Sequence, residues 1–72
     1  MTPSRLVKIG EALYGPSWRI ALSHALEVAE RTVRRWAKDE SRIPDGVTAD
    51  LAKLCEKKAV ELDKIAAELR NG

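Results

Sequence analysis

The sequence is poor in the residues that form disulfide cross-links in small domains or bind metal ions. Its 72 residues include one cysteine, Cys55, and one histidine, His24. A single cysteine excludes an internal disulfide, and one Cys with one His cannot supply the four ligands of a structural zinc site. We therefore expect no metal and no cofactor, and we expect a reducing compartment, the cytoplasm.

Long apolar runs are also missing. No stretch reaches the roughly 20 apolar residues of a membrane span, and none after Met1 has the pattern of a signal peptide. A chain of this length has surface enough for one core only, so we expect a single domain over residues 1–72. So small a domain has little room for a substrate pocket or a sensing module. We predict no membrane contact, no enzymatic activity and no small-molecule effector.

Alternating β-branched runs are absent, which excludes strands and predicts an all-α fold. Helix-breaking and capping residues divide the chain. Thr2 and Pro3 have the pattern of a helix start, and the pair Gly15-Pro16 ends that helix. We predict four helices, a compact helix-turn-helix core of three plus a long C-terminal helix, with the ranges 3–14, 17–26, 30–38 and 48–70.

Apolar spacing predicts which side of each helix faces the core. Gly10 is expected to permit a close contact between helices. His24 lies opposite the inward face of its helix and is expected in solvent. The inward positions of the first three helices are Leu6, Ile9 and Leu13, then Trp18, Ala21, Leu22, Ala25 and Leu26, then Val33, Trp36 and Ala37.

The C-terminal helix carries an apolar stripe longer than a three-helix core can cover. Cys55 lies on it and is expected to be buried. Either this helix folds back in two pieces, or its distal half packs against a second copy. We favour a homodimer, with Leu62, Ile65, Ala66 and Leu69 at its centre. The whole stripe comprises Leu51, Leu54, Cys55, Leu62, Ile65, Ala66 and Leu69.

The third helix concentrates positive charge although the net charge is only +2. Arg31, Arg34, Arg35 and Lys38 follow i, i+3, i+4, i+7 spacing and share one face, while Val33 and Trp36 project from the other. Like charges at these spacings repel by a few tenths of a kcal/mol each. The ridge is either a solvated face or the binding face for a polyanion, and a short basic helix fits the DNA major groove.

The segment from Leu22 to Trp36 resembles the helix-turn-helix of the Cro/repressor-like (lambda repressor-like) family. The resemblance covers roughly residues 17–42 and includes the string Arg-Thr-Val-Arg-Arg-Trp. Where the family usually has Gly in the turn and Ser or Thr as N-cap, this chain has Glu27 and Ala29. Glu27 is therefore expected in a left-handed conformation. The apolar positions that match are Leu22, Leu26, Val28, Val33 and Trp36.

The resemblance implies two sets of DNA contacts. Arg31 and Arg35 are the first candidates for guanine, and Thr32 for a thymine methyl group. Glu30 is expected either to accept from cytosine or to orient an arginine. For Trp18 two roles stay open, packing alone or packing combined with a phosphate contact. Base edges are assigned to Glu30, Arg31, Thr32, Arg34 and Arg35, and backbone phosphate to Ser17, Trp18, Arg19, Lys38, Ser41 and Arg42.

The resemblance further implies a transcriptional regulator, a repressor of its own operon that binds a near-palindromic site on double-stranded DNA as a homodimer. It suggests a phage or mobile-element origin, with the small autorepressors beside anti-CRISPR genes as one example. Two other interpretations stay open. One is a protein-interaction module, such as an antitoxin or adaptor, that acts through its C-terminal amphipathic helix. The other is nonspecific nucleoid binding, which predicts steep salt dependence without sequence preference.

Overall fold

A computed structural model describes all residues from 1 to 72 and confirms the all-α class. The four α-helices are α1 (Pro3–Tyr14), α2 (Trp18–Leu26), α3 (Glu30–Ala37) and α4 (Asp45–Asn71). A short 3-10 turn, Gly15–Ser17, joins α1 to α2. Four helix ends differ from the expected ranges. α2 begins at Trp18 rather than residue 17, and α4 ends at Asn71 rather than residue 70. α4 begins at Asp45 rather than residue 48, directly after Pro44, and α3 ends one residue early because Asp39 has a positive φ.

The start of α1 has the expected cap. Thr2 Oγ1 accepts a hydrogen bond from the Arg5 backbone N–H at 3.3 Å, and Pro3 takes the first helical position. At the other end Gly15 has φ +76°, a backbone conformation that L-residues rarely adopt. The chain therefore leaves α1 sharply and turns back into α2.

Gly10 is the contact point between α1 and α2. A Cβ built on Gly10 would lie 2.2 Å from Cε3 of Trp18 and 2.5 Å from its Cδ2. Only a residue without a side chain leaves space for the indole ring, which is 2% exposed. This contact places Trp18 in the core and sets the approach of α2 to α1.

The core lies where the first three helices meet the beginning of α4. Ile43 from the α3–α4 loop closes it from one side. One expectation fails on α2, where Ala25 is exposed because no helix covers that side. The eight clustered core side chains are Leu6, Trp18, Leu22, Val33, Trp36, Ile43, Val47 and Leu51.

The turn between α2 and α3 follows the expected geometry. Glu27 has φ 57° and ψ 43°, the left-handed conformation, and Val28 N–H donates to Ser23 O at 3.0 Å. Bonding of this kind satisfies the last carbonyls of a helix. Ala29 is the N-cap of α3 and, as expected, has no side chain to cap it. The three-residue connection brings α3 back against α2.

α4 is one continuous helix of 27 residues, which rules out the alternative in which it folds back in two pieces. Its first part joins the core through Val47 and Leu51. Beyond Leu54 no residue of α4 is buried, and the molecule is elongated, with a longest dimension of 47 Å against 22 and 21 Å. We refer to residues 3–54 as the head and to residues 55–71 as the tail. Cys55, expected to be buried, is exposed because the head ends beside it.

Candidate nucleic-acid interface

The outward face of α3 presents the basic residues together. Arg31, Arg34, Arg35 and Lys38 are all exposed. On the opposite side Val33 is fully buried and Trp36 is 4% exposed, so the rotation of α3 about its axis is set by packing. The result is a rigid helix with one apolar face in the core and one cationic face in solvent.

An acidic residue borders this surface. Glu30 Oε1 lies 3.8 Å from Arg34 Nε, with the two side chains 45% and 55% exposed. An exposed pair at this distance contributes little to stability, since water and salt screen it. The effect of the pair is on the orientation of Arg34, whose guanidinium it brings toward the N-terminus of α3. The i,i+4 spacing of Glu30 and Arg34 predicts this pair from the sequence. Orienting an arginine is one of the two roles expected of Glu30.

The residues assigned to base edges therefore share one continuous surface. Glu30, Arg31, Arg34 and Arg35 are exposed, and Thr32 is half-buried. No acidic side chain interrupts the surface between Arg31 and Lys38. The surface combines fork-shaped guanidinium donors with one hydroxyl, a set suited to phosphate and to the acceptor edges of bases.

The residues that follow α3, Ser41 and Arg42, add less to the basic surface of α3 than the residues of the helix itself. Glu40 N–H donates to Arg35 O at 2.8 Å, which ends the helix tightly with Asp39 at φ 59°. Ser41 is half-buried. Arg42 is exposed, with Nη2 3.8 Å from Asp45 Oδ1, an ion pair that the sequence reasoning missed although the two lie at i,i+3. Arg42 is thus available to a ligand only in competition with Asp45.

The start of α2 carries three residues assigned to phosphate, Ser17, Trp18 and Arg19. Trp18 is buried beneath Gly10, and its backbone N–H donates to Gly15 O. Packing is therefore confirmed as a role of Trp18, and an additional phosphate contact through its indole N–H stays a prediction. Ser17 is exposed and makes no capping hydrogen bond with its side chain. Arg19 is exposed with its guanidinium carbon 5.0 Å from the Trp18 ring centroid, a cation–π contact.

The residues expected in a dimer interface lie on the tail. Leu62, Ile65 and Leu69 are 54%, 50% and 78% exposed, and Ala66 between them is half-buried. These side chains are not brought to the α3 surface, and the chain itself provides nothing to cover them. None of the helices, α4 included, combines the length and apolar character needed to cross a membrane.

Comparison with known proteins returned nothing: the chain matches no protein-family model, no curated protein and no solved structure. A functional conclusion has to come from the geometry and charge of the chain itself.

Proposed function

We propose that this protein is a sequence-specific, double-stranded DNA-binding transcriptional regulator that inserts α3 into the major groove. One observation carries the proposal. A helix fixed by Val33 and Trp36 presents four basic side chains on one exposed face. An α-helix fits the major groove, where arginine forks pair with guanine O6 and N7.

In this proposal Arg31 and Arg35 read bases, Arg34 and Thr32 support them, and Lys38 and Arg42 meet phosphate. The protein acts in the cytoplasm as a homodimer on a near-palindromic operator, because a two-fold protein recognises a two-fold site. It represses by occupying a promoter and has no catalytic activity. The resemblance of residues 17–42 to the Cro/repressor-like helix-turn-helix suggests a regulator carried by a phage or mobile element.

The test starts from DNA selected out of a random library, since selection finds a binding site whatever the sequence of the operator. We then measure fluorescence anisotropy with the selected duplex and with a scrambled duplex at physiological salt. A preference of about 10³ or more is in the range of specific binding. Weak and equal affinity for both duplexes would contradict site-specific recognition, and a steep salt slope would then indicate nonspecific binding.

Matched charge variants show whether α3 carries the binding. Arg31→Ala and Arg35→Ala are each expected to cost about 1–3 kcal/mol on the selected duplex. Lys53→Ala removes one positive charge from an exposed position of α4 and is the control. Equal losses for all three variants would mean that net charge, and not α3, determines affinity.

A second function is favoured by the exposed apolar side chains of the tail, and it is a protein-interaction module. In that case Leu62→Ala and Ile65→Ala abolish partner binding, whereas Arg31→Ala and Arg35→Ala have no effect. The arginine variants thus separate the two functions directly.

A further inference from the structure

The tail presents an apolar face that nothing in the single chain covers. Leu62, Ile65 and Leu69 are at least half exposed, and with Ala66 they lie within about 100° of one another around the helix. A segment of this length is marginal as an isolated helix in water, and packing of its apolar face is the usual source of stability. The face therefore requires a partner.

We infer that the partner is a second copy of this chain whose tail packs antiparallel on this one, with the two-fold axis beside Leu62. This inference rests on the homodimer proposed above and specifies its surface, direction and register. It does not depend on which ligand α3 binds, because the tail and α3 are separate surfaces.

The direction follows from where the head lies. At 100° per residue, Leu51 in the core and Leu62 and Leu69 on the tail point the same way to within about 20°. A helix packed on the tail face therefore lies on the same side of α4 as the head. Packed helices have axes roughly 8–10 Å apart, and the molecule is 22 by 21 Å across. If the tails packed parallel, the two heads would overlap and clash. If they pack antiparallel, the two heads lie at opposite ends of the paired tails.

The register follows from the length of the free tail. Full overlap of two antiparallel segments 55–70 places the two-fold axis between positions 62 and 63. Leu69 of the partner subunit then lies close to the level of Cys55, beside a shallow cleft of about 300 Å³ next to the end of α1. This brings the most exposed apolar side chain of the tail to an apolar surface of the head. The apolar residues of the cleft include Leu13, Tyr14 and Leu54.

The charges flanking the face support this register. Glu56 lies close to the level of Arg70 of the partner subunit on one flank. On the other flank, Lys57 lies level with Glu68 of the partner subunit, and Glu61 with Lys64 of the partner subunit. Each of these opposite-charge pairs occurs twice by symmetry. Such pairs fix register and orientation more than they add affinity.

Two features oppose the dimer. Lys58 is half-buried and places a positive charge on the apolar face itself, within about 40° of Leu62 around the helix. Asp63 meets Asp63 of the partner subunit near the two-fold axis, where like charges repel. This repulsion gives a signature of the register, since Asp63→Asn should tighten the dimer at low salt and have no such effect at high salt. In a register with a different axis, Asp63 does not meet its own copy.

In this register equivalent points of the two heads are well separated. Leu51 is 11 to 12 residues from the axis, so the two copies of Leu51 lie about 34 Å apart along α4 at ~1.5 Å per residue.

Sedimentation analysis over a concentration series tests the interface. The wild-type chain is expected to reach twice the 8.0 kDa mass of one chain. Leu62→Glu is expected to remain monomeric and helical, because Leu62 is exposed and does not belong to the core cluster of the head. Val60→Glu is the matched control, since Val60 is 58% exposed on the opposite side of α4. A wild-type monomer, or a dimer unaffected by Leu62→Glu, would overturn the inference.

Disulfide trapping tests direction and register. In a Cys55→Ser background, Leu62→Cys should cross-link two chains under mild oxidation, because only residues beside the axis meet their own copies. Leu69→Cys in the same background should not cross-link, but should do so when Cys55 is retained. Cross-linking of Leu69→Cys without Cys55 would mean parallel tails and would refute the arrangement. None of these readouts involves DNA, so failure here leaves the function of α3 to its own test.

Discussion

Gly10 offers a strong test of how the head is assembled, because one added methyl group acts on a single identified contact. In Gly10→Ala the new Cβ would lie 2.2 Å from Cε3 of Trp18, and Cζ3 would be 3.0 Å away. Carbon atoms in contact prefer about 3.5–4.0 Å. The ring or the helix must therefore shift by more than ~1 Å, and a ring that is 2% exposed has no free space to enter.

Two opposing terms set the magnitude for Gly10→Ala. Overpacking of a core costs about 1–3 kcal/mol, and the shift required here belongs at the upper end. Alanine in place of glycine inside a helix raises the free energy of unfolding by about 1 kcal/mol. The net loss is about 2 kcal/mol, which for a domain of this size lowers Tm by roughly 8–16 °C.

Gly46→Ala is the matched control. Gly46 lies in the first turn of α4, and nothing would be within 4 Å of its Cβ. The same substitution there should stabilise the protein by up to ~1 kcal/mol. Thermal unfolding followed by circular dichroism at one protein concentration gives both values, and the fixed concentration is needed because dimerisation makes Tm concentration-dependent.

A result in which Gly10→Ala unfolds at or above the wild-type temperature would refute the close contact. A double-mutant cycle adds a second readout. In a Trp18→Leu background the smaller side chain leaves room for the methyl group, so Gly10→Ala should lose most of its cost.

The remaining predictions concern two helix caps, one left-handed residue and one ion pair. Each effect is measured as the change in the free energy of unfolding in urea. Thr2→Ala should cost ~0.5–1 kcal/mol by removing the α1 cap, and an unchanged value would mean that the cap adds nothing. Glu27→Gly should stabilise by up to ~1 kcal/mol because glycine tolerates the left-handed conformation; destabilisation would contradict the strain. Ala29→Ser should stabilise by about 1 kcal/mol through a new cap on α3, and no gain would show the cap site is blocked. Glu30→Gln should change stability by less than ~1 kcal/mol, since its ion pair is exposed, and a larger loss would contradict that estimate.

Local features of this chain were predictable from the sequence because their causes are local. The Thr2 cap, the end of α1 at Gly15 and the left-handed Glu27 each depend on the conformational preferences of one or two residues. The exposed ridge on α3 was predictable for the same reason, since helical periodicity alone separates Arg31 and Arg35 from Val33 and Trp36.

Periodicity also identifies an apolar face without saying what covers it. Ala25 and Cys55 both lie on predicted inward faces and are both exposed, because no neighbouring helix packs over them. Conversely, the depth at which Trp18 is buried depends on another helix, because its ring occupies the space that Gly10 leaves free on α1.

The sequence by itself determined the number of helices, both ends of α1 and which side of α3 is charged, since these depend on intrinsic preference and spacing. Tertiary structure decided how far the core extends along α4, and thus divided one continuous stripe into a buried part at Val47 and Leu51 and an exposed part from Leu62 onward. The physical reason is that burial depends on the lengths and approach of other helices. Those quantities arise only when the segments pack together.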